Sequence, residues 1–388
     1  MGSDISSPTN FSDVYVPMGG IRLNSEKDKE NNLSSQAPQR TRRSHIVKTF
    51  FSGVWSVETI ASDLAPPPRT GQFTCFSEYR KSTIIGFGID DNGNYYNDIW
   101  LFDVINRAWS NLNLSGIPIS PRSGSRGVAV ENMLFVIGGV NGLNYYNDIY
   151  SIDLNTGFTQ IIETNGNVPT PRSSFVLSSY GTQLFLWGGY NGTWPSELYV
   201  LDLNSLTWEM LPKDVMGRSN SAFEVVDHLV YIYGSSKTGG LLVINMIDRS
   251  IETLPTTGPE PSPSLLDATL VHFDTYLMFI GGKSSTTTTF LYALDLNKMR
   301  WFMFHILPDG DTLSAADGTI NELGMFMIPR TYSLSAVYDA SKREIIAFLG
   351  HPAMEQRNLT VLGVGEALAA LHLRSDMYDV IQHQENMK

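Results

Sequence analysis

Apolar residues recur along this chain in short unbroken runs, without the three-to-four-residue spacing of an amphipathic helix. The runs read STIIGFG, MLFVIGG, QLFLWGG, HLVYIYG, YLMFIGG and EIIAFLG, and they end at Gly88, Gly139, Gly189, Gly234, Gly282 and Gly350. Such runs are rich in β-branched and aromatic residues and apolar at successive positions, which predicts strands covered on both faces. A second strand-like segment follows each of the first five: DIWLFDV, DIYSIDL, ELYVLDL, GLLVINM and FLYALDL. A closing aromatic comes next at Trp109, Phe158, Trp208 and Trp301, with Ile251 in its place in the fourth copy and Trp55 ahead of the first. Each unit opens on a Pro-Arg pair or its remnant: Pro68-Arg69, Pro121-Arg122, Pro171-Arg172, Gly217-Arg218 and Pro329-Arg330, with only Pro261-Ser262 in the fifth.

The phrase YYNDI at 95–99 returns at 145–149, a step of 50 residues. A unit of this size with four strand-like segments and no helical periodicity cannot close a core alone, so neighbours must cover each sheet. Radial stacking of four-stranded sheets around an axis does so and leaves only short edges. The repeat is therefore read as one blade of an all-β propeller. Its marks resemble the kelch repeat over about residues 44–388, with Gly138, Gly139, Gly188, Gly189, Gly281, Gly282, Trp109, Trp208 and Trp301 as the structural positions. Six four-stranded blades are expected, seven being the alternative. The segment at 44–55 aligns with SELYVLDLNSLTW and would supply the last strand or two of blade six, whereas LHLRSDMY at 371–378 aligns with LDLNSLTW and would close it from the other end.

Residues 1–43 are polar and rich in Ser and Asn, and they include SEKDKENN, too little apolar area to offset ordering entropy. They are expected to form a flexible tail, with 44–388 as the propeller. The first residues fit the myristoylation pattern at Gly2 and Ser6, which would give only marginal membrane attachment by itself. One cysteine, Cys75, and the lack of a signal segment or bilayer-length apolar run point to a soluble cytoplasmic protein. The net charge of −12 argues against binding nucleic acid, which needs a basic surface.

In an antiparallel meander of strands a to d, counted from the axis, the links from d to the next a lie on the same face as the b–c loops. The Pro-Arg marks and the b–c loops then share one face. Its loops read DDNGNYYND, VNGLNYYND and YNGTWPSE, presenting Tyr95, Tyr96, Asn141, Tyr145, Tyr146, Tyr190, Asn191 and Trp194. Tyr, Trp and Arg dominate binding hot spots because they bring large area at modest entropy cost. The resemblance to kelch propellers implies that Arg69, Arg122, Arg172, Arg218 and Arg330, with Ser123, Ser173 and Ser219, line this face. Guanidinium forks match carboxylates, so an acidic protein or peptide partner is expected. An insert separates Trp301 from Pro329 and belongs to the same face.

The expected function is a non-enzymatic interaction module or adaptor without cofactor or metal. The alternative is an enzyme acting on a small molecule in an axial pocket. Among enzymes of this architecture, copper oxidases need a Cys-crosslinked Tyr with paired His, and iron-dependent specifier proteins need E-x-x-x-D-x-x-x-H. Here Asp379 and His383 have half of that spacing, with Ser375 where Glu should be, and no phosphate loop, nucleophile elbow or HExxH occurs.

Overall fold

The computed structural model describes residues 52–61, 64–236, 239–308, 319–320 and 326–364. The expected tail at 1–43, Gly2 and the alternative closing segment at 371–378 lie outside the described residues. All regular structure within them is β-strand, arranged as six blades of a propeller. Blade one is Phe73–Ser77, Ser82–Gly86, Ile99–Asp103 and Ala108–Leu112 from axis to rim. Blades two to five repeat this meander from Arg126–Val130, Val176–Tyr180, Ala222–Val226 and Leu266–Phe273. Strand b is the most deeply covered, as its unbroken apolar run requires: Ser82–Gly86 is buried throughout.

Blade six joins the two ends of the described chain. Its strands Ser335–Asp339, Glu344–Phe348 and Asn358–Gly363 come from the C-terminal side, and its rim strand is Ser52–Thr59. Trp55 pairs with Leu362 there, the position that Trp301 holds opposite Leu294 in blade five. In blade two that position belongs to Thr159, opposite Ile152, and not to Phe158, which is 46% exposed. Side chains alternate faces along a strand, so an offset of one residue turns the expected aromatic outwards.

Six hydrophobic clusters fill the six spaces between neighbouring blades among the described residues. Between blades four and five, Tyr233, Leu241, Phe279 and Trp301 pack together; between six and one, Phe348 and Ile346 meet Phe102 and Trp109. Both faces of each sheet are thus apolar, which is why no alternating pattern marks these strands.

Two circles of backbone hydrogen bonds tie the blades on the side where strand a begins. In the outer circle, Gly88 donates to the carbonyl of Arg122 (3.0 Å), Gly139 to Arg172 (2.9 Å), Gly189 to Arg218 (2.8 Å), Ser235 to Leu265 (2.8 Å), Gly282 to Thr331 (2.8 Å) and Gly350 to Arg69 (3.3 Å). This circle is complete. It also corrects the sequence alignment, because Leu265, not Ser262, fills the Arg position in blade five, and Thr331, not Arg330, fills it in blade six. The glycines here are required by contact: a Cβ on Gly188, at φ +71°, would meet the Arg218 carbonyl at 2.5 Å.

The inner circle surrounds the axis. Gly71, Gly124, Ser174, Asn220, Asp267 and Ser333 are all left-handed, with φ from 52° to 65°. Each of the last five donates its N–H to the carbonyl of the one before, at 2.7–3.1 Å. Between Ser333 and Gly71 a side chain takes over, Gln72 Nε2 donating to the Ser333 carbonyl at 2.6 Å. Four of the six are not glycine, so the ring of bonds holds them in a conformation that costs an L-residue about 1–2 kcal/mol.

At the rim, links between blades latch in parallel onto the outer strand of the next blade. Ser115–Gly116 pairs with Phe158–Ile161, Asn165–Gly166 with Thr207–Leu211, and His305 to Pro308 with Ser52 to Trp55. Past that last latch, part of the insert returns as Phe326–Pro329 and pairs with Thr288–Thr289 in the b–c loop of blade five.

Candidate functional site

The Pro-Arg marks and the b–c loops do meet on one side: Arg122 N donates to the Tyr96 carbonyl (3.1 Å) and Arg172 N to that of Tyr146 (3.0 Å). The side chains differ from expectation. Arg69, Arg122 and Arg172 are each 2% exposed and Arg218 is 8% exposed. Arg69 forks onto Asp98, donates to the carbonyls of Pro67 and Phe87, and lies 4.0 Å from the centroid of the Tyr96 ring. Arg122 repeats the arrangement with Asp148, the carbonyls of Ser120 and Gly138, and Tyr146 at 3.7 Å. Arg172 bonds Thr170 and the Gly188 carbonyl, and Arg218 the carbonyls of Gly234 and Gly240. Burial pushes both of these guanidiniums below their usual pKa. Half-buried Arg330 bonds Thr286 Oγ1 and the Gly282 carbonyl.

These five arginines are therefore not a row of free forks. They staple strand a to the Gly turn, and the expectation of an acidic partner drawn from them loses its basis. The second Tyr and the Asp of YYND belong to the staple as well: Tyr96 with Asp98, and Tyr146 with Asp148. The sequence carried this signal in the repeated YYND, whose Asp stands two residues after the stacking Tyr in both copies.

The asparagines also hold loops. Asn141 Nδ2 donates to the Pro121 carbonyl (2.7 Å), and Asn191 Nδ2 to Thr170 Oγ1 (3.0 Å). Ser123 and Ser173 bridge through their backbones to Val140 and Tyr190.

What these staples leave at the surface is aromatic. Tyr95 Oη accepts the Gly142 N–H at 3.1 Å, tying the loop of blade one to that of blade two. Tyr145 and Tyr190 stand 6.3 Å apart at 66°, and Tyr190 and Trp194 are 5.2 Å apart at 54°. Trp194 Nε1 reaches Ser219 Oγ at the entry of blade four (3.2 Å) and stays 52% exposed. Leu143, at the loop tip of blade two, is 96% exposed, and Met216 stands out on the link into blade four. Neither was expected from the sequence, since a loop-tip Leu between Gly and Asn carries no pattern.

Around the axis, Arg126 of blade two donates Nε to the Phe175 carbonyl (2.8 Å) and lies 5.7 Å from the ring of Phe223 in blade four. Burial lowers its pKa to about 10 and raises that of Asp267. The Cys75 thiol is pushed up to about 12 by burial, which makes it a packing residue and a poor nucleophile. His272 Nε2 bonds the Asp274 carbonyl, and His351 Nδ1 pairs with Asp91 at 3.2 Å. Among the described residues no three metal-ligating side chains converge.

Comparison with known families agrees with the blade marks. Residues 34–235 match the model described as the KLHDC2/KLHL20/DRC7 Kelch-repeats domain. No curated protein matches the chain. The match spans more than half of the sequence and covers the blades in which the Gly, Arg and aromatic marks are most regular. This chain belongs to the kelch-repeat family.

Proposed function

We propose that the propeller is an adaptor that binds a protein or peptide partner on the face built from the b–c loops and the d–a links. Kelch propellers are generally protein-interaction modules and typically not enzymes. The observation that carries the choice of face is the run of surface aromatics Tyr95, Tyr145, Tyr190 and Trp194 across blades one to three, flanked by exposed Leu143 and Met216. These side chains cap no core, whereas the arginines and asparagines beside them are committed to the scaffold. Rigid loops with large aromatic contact area offer affinity at low ordering cost.

Partner capture from cell extract tests this, using wild-type protein, Tyr190→Ala with Trp194→Ala, and a control pair on the opposite face, Asn155→Ala with Asn204→Ala in the c–d turns. The aromatic pair should lose at least 90% of captured partner while its melting temperature stays within about 3 °C, because Trp194 is exposed and the partly buried Tyr190 belongs to none of the apolar cores between blades. Loss by the c–d pair with retention by the aromatic pair would place the working face on the other side.

A further inference from the structure

Resting on that reading, we infer that the rings of Tyr145, Tyr190 and Trp194 receive a cationic side chain of the partner, an arginine or lysine. The three rings meet at 66° and 54° with centroid separations of 6.3 and 5.2 Å, so they form walls and not a parallel stack. Ring faces carry negative potential and attract ammonium and guanidinium groups within about 6 Å. The protein uses this attraction next door, with Arg69 over Tyr96 and Arg122 over Tyr146. Among the described residues no Lys or Arg lies over Tyr145, Tyr190 or Trp194.

Charge decides the occupant. Residues 88–218 contain six Lys or Arg against twelve Asp or Glu. Arg107 is paired with Glu58 and Glu344 and Arg122 with Asp148, whereas Arg126, Arg172, Lys213 and Arg218 donate to neutral oxygens and keep their charge, so the segment carries a net charge of six minus twelve, or −6. Glu197 lies three residues after Trp194 in the same loop, where its charge also supports the buried Arg172 guanidinium, and Asp214 lies on the link that brings Ser219. This excess of carboxylates over cations disfavours the carboxylate ligand that the Pro-Arg marks pointed to. A basic partner is drawn to it, faster at low salt.

Two fluorescein-labelled dodecapeptides that differ only in carrying four arginines or four glutamates test the assignment by anisotropy, at low and at physiological salt. The arginine peptide should bind and the glutamate peptide should not. Tyr190→Ala and Trp194→Ala should each weaken binding about tenfold or more, with Trp194→Phe within about threefold of wild type. Choline should compete, and its uncharged isostere 3,3-dimethylbutanol should not. Arginine-peptide binding that ignores the ring variants, tighter binding of the glutamate peptide, or no binding of either overturns the inference. If either of the last two occurs while partner capture still depends on Tyr190 and Trp194, the protein-binding face stands and only its cation preference falls.

Discussion

Arg122 has most of its donors inside the blade, so its removal is a stability event. Arg122→Ala leaves Asp148, which is 23% exposed at its side chain, without a counter-charge, and the Gly138 carbonyl keeps only the Ser125 hydroxyl of its two side-chain donors. Breaking a buried pair costs about 3–5 kcal/mol, and partial exposure of the carboxylate discounts that to about 2–4. Urea denaturation should show this loss, and Arg122→Lys should recover only part of it, because an ammonium cannot fork onto Asp148 while lying flat on Tyr146. Glu224, on the inner strand of blade four, is a second residue whose environment has a measurable consequence. Burial pushes its carboxyl from 4.5 to about 7. Between those values the folded protein holds a proton that the unfolded chain has released, so this contribution is intact in acid and is lost as pH rises towards 7. Glu224→Gln should remove that loss, gaining about 1–3 kcal/mol on wild type at pH 8 and little at pH 4.5, read from urea midpoints at the two values. At this scale the sequence showed where the arginines are but not where their guanidiniums go. A Pro-Arg pair reads the same whether its fork meets a ligand or an Asp brought near by a loop 26 residues later.

At the scale of elements, most of the fold was legible. Strands b and c are covered on both faces, so they are apolar at every position and stand out from loops built of Asn, Gly and Asp. Rim strands have one wetter face and depend on parity, which is why Phe158 was misassigned while Trp208 and Trp301 were not. In blades five and six the Arg position was misread for a related reason: Leu265 and Thr331 occupy it through backbone geometry alone, which leaves no residue signature. The N-terminal rim strand gives a prediction of its own. Deleting residues 1–60 removes Trp55, which is 8% exposed within the core between blades five and six, and bares the edge of Asn358–Gly363. The truncated protein should melt at least about 10 °C lower or fail to fold, whereas deleting residues 1–40 should leave the melting temperature within about 2 °C. An intact melt in the first variant would show that the ring does not need this strand.

For the whole molecule, charge and architecture act separately. The ring rests chiefly on six apolar interfaces and two circles of amide bonds, and the net charge of −12 adds only self-repulsion to it. Under the function proposed above, it would govern which partner approaches the loop face, the aromatic residues supplying contact area and the carboxylates selectivity. One strand pair matters differently again when the protein is pulled rather than heated. In blade six, Val54 lies opposite Gly363 and Thr59 opposite Asn358, so the outgoing ends of the two strands are side by side. Tension between those ends loads the Val54 pair first and then each following pair in turn, peeling the strands apart instead of shearing all their bonds together. A tether through both ends would therefore part the ring at blade six under modest force, and the same ring anchored through blades two and five would bear a greater load.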